Sequence, residues 1–131
     1  TDTLRVKALY SHIRGKTAAV AGGPLNKDMG VSDINPDKLG ATLIWNFVPK
    51  GDLTFGATQL ISRSLNTGEK TSGYALFDLG VNYDTRLGKL SLGVENLTDK
   101  FYILSYSQIG GNDNYMSGRG RVFSLTHTIT F

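Results

Sequence analysis

Asp37-Lys38-Leu39-Gly40-Ala41-Thr42-Leu43-Ile44-Trp45-Asn46-Phe47 is the stretch that decides the fold. Leu39, Ala41, Leu43, Trp45 and Phe47 fall on one side of an extended chain, and Gly40, Thr42, Ile44 and Asn46 on the other. A period of two marks a strand whose faces meet unlike environments. The pattern recurs on both sides of this stretch. Downstream, Leu53, Phe55 and Ala57 oppose Thr54, Gly56 and Thr58; Ala75, Phe77, Leu79, Val81 and Tyr83 oppose Leu76, Asp78, Gly80 and Asn82. Leu90, Leu92 and Val94 oppose Ser91, Gly93 and Glu95. Phe123, Leu125, His127, Ile129 and Phe131 oppose Ser124, Thr126, Thr128 and Thr130. Upstream, a weaker strand sets Leu4, Val6, Ala8 and Tyr10 against Arg5, Lys7, Leu9 and Ser11.

The spacing predicts an all-β chain, an antiparallel up-and-down meander of about six strands. Val48-Pro49-Lys50-Gly51 reads as a tight turn, with Pro presetting φ and Gly allowing a positive φ. Asp84-Thr85-Arg86-Leu87-Gly88 reads as a second short connection. Gly15–Pro36, Arg63–Gly73 and Thr98–Gly118 are longer and polar. Long and short connections therefore alternate, so all long loops leave one end of the sheet. Outer-membrane barrels carry that asymmetry.

Bulk properties narrow the function classes. Gly supplies 16 of 131 residues, well above the usual ~7%. Cys is absent, which removes disulfides, thiolate metal sites and Cys nucleophiles. The formal charge is only +3, and the 14 basic residues are scattered, so no nucleic-acid partner is expected. No apolar window approaches the ~20 residues of a membrane helix, and the start of the chain lacks the apolar core of a signal peptide. The chain opens on Thr1 and is expected to be a processed product or a fragment.

Alternation alone fits a soluble ligand-binding barrel as well as a membrane barrel. The polar face separates them. A water-facing side is usually dense in Lys, Glu and Arg, whereas Ser, Thr, Gly and Asn dominate here. Asp78 and Glu95 are its only charges over the last five strands. The apolar face of those strands carries no charge at all, as lipid contact demands when a midplane charge costs ~2–4 kcal/mol. Trp45, Phe47, Phe55, Tyr83 and Phe131 are expected near the short-turn end, and Tyr10 and Tyr74 near the other, as two aromatic girdles. Six strands cannot enclose a plug-sized lumen, which takes about 22.

The last 95 residues or so resemble the C-terminal barrel of TonB-dependent siderophore receptors. Asp33-Ile34-Asn35-Pro36-Asp37-Lys38-Leu39 is similar to the family's loop-to-strand passage. Gly93-Val94-Glu95-Asn96-Leu97-Thr98-Asp99-Lys100-Phe101-Tyr102 resembles its run near the penultimate strand, and Gly118-Arg119-Gly120-Arg121-Val122-Phe123 the run that opens the last one. The last motif looks more like receptors for hydroxamate–citrate siderophores, of aerobactin type, than the catecholate group. The resemblance implies that residues 1–131 are the C-terminal portion of a 22-stranded barrel, with the plug domain and energy-coupling box outside this chain. It implies outer-membrane localisation, a ferric siderophore as transported ligand with no resident cofactor, and TonB, lipopolysaccharide and the barrel-assembly machinery as partners. The terminal aromatic Phe131 would be the assembly signal, or only a girdle residue.

Candidate ligand-binding residues are Tyr102, Tyr106 and Tyr115 in the last long loop, where rings could stack on a ligand or simply pack the loop. The parity of Phe123 puts Arg119 and Arg121 on the lipid side, toward lipopolysaccharide phosphates. A bulge at Gly118 or Gly120 would instead turn one inward, toward an anionic chelate. Gly110–Asn114 reads as a loop tip. Asn96-Leu97-Thr98 matches a glycosylation sequon, but a turn as the strand leaves the membrane is the better account. His12 and His127 have no carboxylate at a recognisable ligand spacing, and no catalytic or metal motif appears. An enzyme is not expected. The alternatives are a soluble ligand-binding barrel, or a small outer-membrane barrel of adhesin or enzyme type.

Overall fold

The computed structural model describes residues 3–30, 33–109 and 115–129. Phe131 and the loop tip 110–114 lie outside them. Ten strands form: β1 (Leu4–Ser11), β2 (Lys16–Ala18), β3 (Leu25–Asp28), β4 (Lys38–Val48), β5 (Gly51–Leu60), β6 (Arg63–Ser64), β7 (Lys70–Thr71), β8 (Tyr74–Thr85), β9 (Gly88–Glu95) and β10 (Val122–Thr128). One six-stranded antiparallel sheet runs β1-β4-β5-β8-β9-β10, with β2-β3 and β6-β7 as separate two-stranded ribbons. The meander is as expected. The ribbons are not: they stand within the long polar connections, because strands of two to four residues are too short to show a period.

Register joins the alternating residues into continuous rows. Val6 lies opposite Leu43, Leu43 opposite Phe55, Phe55 opposite Leu79, Leu79 opposite Val94, and Val94 opposite Phe123. The polar face lines up in the same way, with Thr54, Gly80, Gly93 and Ser124 in one row. A one-residue slip at any ladder would mix the faces. On the polar side Asn82 donates to Asp52 Oδ1 at 2.9 Å and Ser91 donates to Asn82 Oδ1 at 2.7 Å, so neighbouring strands are cross-linked by short side chains.

The tight turns fix that register. Gly51 has no positive φ, contrary to the turn chemistry expected of it; the positive-φ glycines of the described residues are Gly22, Gly68 and Gly88. What Gly51 provides is room. A Cβ there would stand 2.8 Å from Val48 Cγ2 and 3.1 Å from both Phe47 Cζ and Tyr83 Cδ2. At the other turn Gly88 holds φ 123°, and the Thr85 hydroxyl both accepts from Leu87 N and donates to Gly88 O, at 3.1 and 2.7 Å. Trp45 and Phe47 (ring centroids 6.0 Å apart) and Tyr83 lie at this short-turn end. Phe55 does not; it lies mid-strand, stacked on Phe77 at 6.0 Å.

The sheet has almost no interior. Leu65 is the one buried apolar residue of the described chain, and no described side chain is fully enclosed. Leu92, Phe123 and Leu125 stand open, Phe123 at 73% exposure. The chain exposes 9322 Å² for its 14.2 kDa, against about 6,800 Å² for a compact monomer of that mass. Among the described residues β1 and β10 each pair on one side only, so six strands do not close into a small soluble barrel. No described helix is long and apolar enough to cross a membrane, which leaves strand crossings open.

Candidate functional site

All three long connections gather at the end of the sheet opposite the tight turns, and side-chain amides tie them together. Asn66, in the β6–β7 loop, makes a reciprocal pair with Asp28 of β3: Asp28 N donates to Asn66 Oδ1 and Asn66 N to Asp28 Oδ2, both at 2.9 Å. Asn66 Nδ2 also donates to Asn26 O at 2.7 Å. Gln108, in the last loop, repeats the device on Ser72, accepting from its N–H at 2.7 Å and donating to its carbonyl at 3.1 Å, with a further bond to Ile103 O at 2.8 Å. An amide matches a peptide group in having both a donor and an acceptor, which suits Asn and Gln to this work.

Two clefts flank the middle loop. The first is lined by Arg14, Asp28, Asp37, Ser62 and Arg63. Its two cations are offset by two carboxylates. At its edge His12 Nδ1 lies 2.7 Å from Asp37 Oδ2. A carboxylate partner for His12 was not anticipated. The residues are far apart in sequence, and the pairing of Ser11 with Lys38 brings them together. The His12 hydrogen bond is the leading cause that holds the Asp37 carboxyl below its ordinary pKa. No group of three or more metal-binding side chains forms among the described residues.

The second cleft, about 430 Å³, lies between the middle and last loops and is lined by Lys70, Tyr74, Lys100, Tyr102, Gln108 and Tyr115 among others. The rings of Tyr74 and Tyr102 pack with centroids 4.4 Å apart. Tyr102 lies over Gly118, where any Cβ would collide with its ring, and Gly118 N donates to Tyr102 O at 3.0 Å. The glycine of the last-strand motif therefore seats a tyrosine of the preceding motif.

The structure thus brings Tyr102 and Tyr115 together and leaves Tyr106 apart, its hydroxyl on Met116 Sδ at 3.5 Å. Lys70, Tyr74, Lys100 and Gln108 complete the cleft; no local pattern distinguished them, since they come from separate loops. Arg119 reaches Glu95, at 3.2 Å, on the polar side of β9. The lipid-facing placement by parity fails for it, because β10 begins at Val122 and strand alternation does not extend to residue 119. Arg121 lies 3.9 Å from Asp99, which also accepts from its N–H at 2.8 Å.

Asn96 is the knot under the cleft. It is 4% exposed. Its side chain accepts from Lys100 N at 2.9 Å and donates to Lys100 O and Arg119 O at 2.9 and 3.1 Å, while its own N–H donates to Asp78 Oδ1 at 2.9 Å. Asn96 and Asp99 both take positive φ, 50° and 53°, a region that Asn and Asp tolerate best among residues with side chains. The motif expected to turn the chain does so through Asn96, and it sets Lys100 at the cleft.

The chain is 30% identical over 126 residues to the ferric aerobactin receptors of Escherichia coli and Klebsiella pneumoniae, an alignment covering 88% of this chain. It spans about a sixth of those receptors, 17% of their length. No protein-family model matches, and neither does any solved structure.

Proposed function

We propose that this chain is the C-terminal barrel segment of an outer-membrane, TonB-dependent receptor that binds and imports a ferric siderophore, with aerobactin-type hydroxamate–citrate chelates as the favoured class. The observation that supports it is the open sheet: one face apolar and uncovered, the other small and polar, and both edge strands paired on one side only among the described residues. Lipid would cover the first face and a hydrated lumen the second. The likeness to ferric aerobactin receptors supplies the ligand class. The long loops act in capture, and the remaining strands, the plug and the TonB contact belong to the rest of the parent protein. Ligand passage makes and breaks no covalent bond, so the role is that of a receptor.

The test is uptake of radiolabelled ferric aerobactin by an iron-starved strain whose only siderophore receptor is the intact parent. Uptake that requires both the parent and TonB is expected, with the parent in the outer-membrane fraction. TonB-independent or absent uptake, or a parent recovered in the soluble fraction, would overturn the proposal.

A further inference from the structure

Resting on that reading, we infer that the cleft between the middle and last loops is a subsite for a soluble, carboxylate-bearing anion, held by Lys70 and Lys100 against the rings of Tyr74, Tyr102 and Tyr115. Its charge balance is one-sided. Among the described residues neither lysine is ion-paired and no lining residue is acidic. The first cleft, by contrast, carries two carboxylates, Asp28 and Asp37, beside its two arginines. Two lysines that line one cavity without an acidic neighbour among its described lining suit an oxyanion. Carboxylates meet such donors through charge-assisted hydrogen bonds.

The walls are prepared before any ligand arrives. Gln108 uses both ends of its amide on Ser72 and Ile103, so it holds the two loops at a fixed gap and is not itself a donor to the ligand. Gly118 and Tyr74 lock the Tyr102 ring, and Asn96 fixes Lys100 through both of its backbone groups. A preset wall reduces the entropy lost on binding. Parity also says from which side the anion comes. Tyr74 pairs with Leu60 and shares the face of Asp78 and Asn82, so it is not the lipid-side girdle ring expected at this end. That face is the Ser/Thr/Gly side of the sheet, away from the apolar face, and Tyr74 is the lining residue that belongs to the main sheet, which favours a dissolved anion over a lipid phosphate.

The test uses the intact parent in its native outer membrane. Lys70→Gln with Lys100→Gln is expected to weaken ferric aerobactin binding about tenfold and to flatten its salt dependence. Lys70→Arg with Lys100→Arg keeps most of the affinity. Unchanged binding by the glutamine variant, in a parent that does bind the chelate, overturns the subsite and leaves the receptor reading intact. Citrate alone is the independent probe, read by protection of Lys70 and Lys100 from amine acylation, followed by mass spectrometry. Protection by citrate supports the cleft even if uptake fails. No protection, or protection only by added lipopolysaccharide, overturns it.

Discussion

Asn96 holds a backbone conformation that few side chains tolerate and satisfies two backbone groups of Lys100 and the carbonyl of Arg119. Asn96→Ala leaves those groups unmet in a nearly closed site, at roughly 1–3 kcal/mol, with a further ~1 kcal/mol for the left-handed residue. Denaturant unfolding of the parent in vesicles is expected to report a loss of about 2–4 kcal/mol; Asn96→Gly removes the strain but not the lost bonds and falls between. Asp37 supplies a pH-dependent contact at the same end. Its pKa is lowered, chiefly by the His12 hydrogen bond. Its contribution is therefore complete above the ordinary carboxylate pKa and fades as pH falls through the lowered value. His12→Ala should move the Asp37 carbonyl ¹³C midpoint upward; an unmoved midpoint would show that His12 is not the cause. Asn96 was legible as a turn residue from its flanking Thr98 and Asp99. The His12–Asp37 contact was not, because it depends on which strands become neighbours.

Strands were the most readable level of this molecule. Leu39 to Phe47 and Ala75 to Tyr83 fix two faces without reference to anything distant, and the tight turns then force antiparallel neighbours. The ribbons β2–β3 and β6–β7 were opaque, since pairs this short depend on tertiary partners such as Asn66. Arg119 was misplaced for a related reason: alternation holds only inside a strand, and the chain around Gly120 is not one. Gly51→Ala should cost about 1–3 kcal/mol by overpacking against Val48, Phe47 and Tyr83. Thermal unfolding of the parent checks it, and a neutral result would mean that the turn relaxes freely. Asn66→Ala should speed amide exchange across Lys16–Asp28 while leaving β4 and β5 protected. Uniform exchange across all strands would contradict a local clasp.

At the scale of the whole chain, the missing interior governs behaviour. About 2,500 Å² separates the exposed area from that of a compact monomer, and much of the excess lies on side chains such as Phe123 and Leu125. The isolated chain is expected to associate or precipitate in plain buffer and to disperse in detergent, with the apolar row shielded from solvent. Light scattering decides: a stable monomer without detergent would overturn the lipid assignment for that face. Composition and periodicity made the open sheet and its alternating loops legible. The paired-lysine cleft was out of reach, because it is assembled from loops whose meeting no local pattern encodes.

The meander has a consequence for time as well as shape. Every ladder of the six-stranded sheet joins a strand to the next long strand along the chain, so each of these pairings closes a loop of modest length. The β4–β5 and β8–β9 hairpins, with tight turns, can form within microseconds, and closure entropy rises only slowly with length for the others. The order of assembly is then set by the loops. The gap between β9 and β10 is as wide as that between β1 and β4, and it is partly bridged wherever the Asn96 side chain holds Lys100 and Arg119 together, so that the last strand meets its neighbour across a shortened loop.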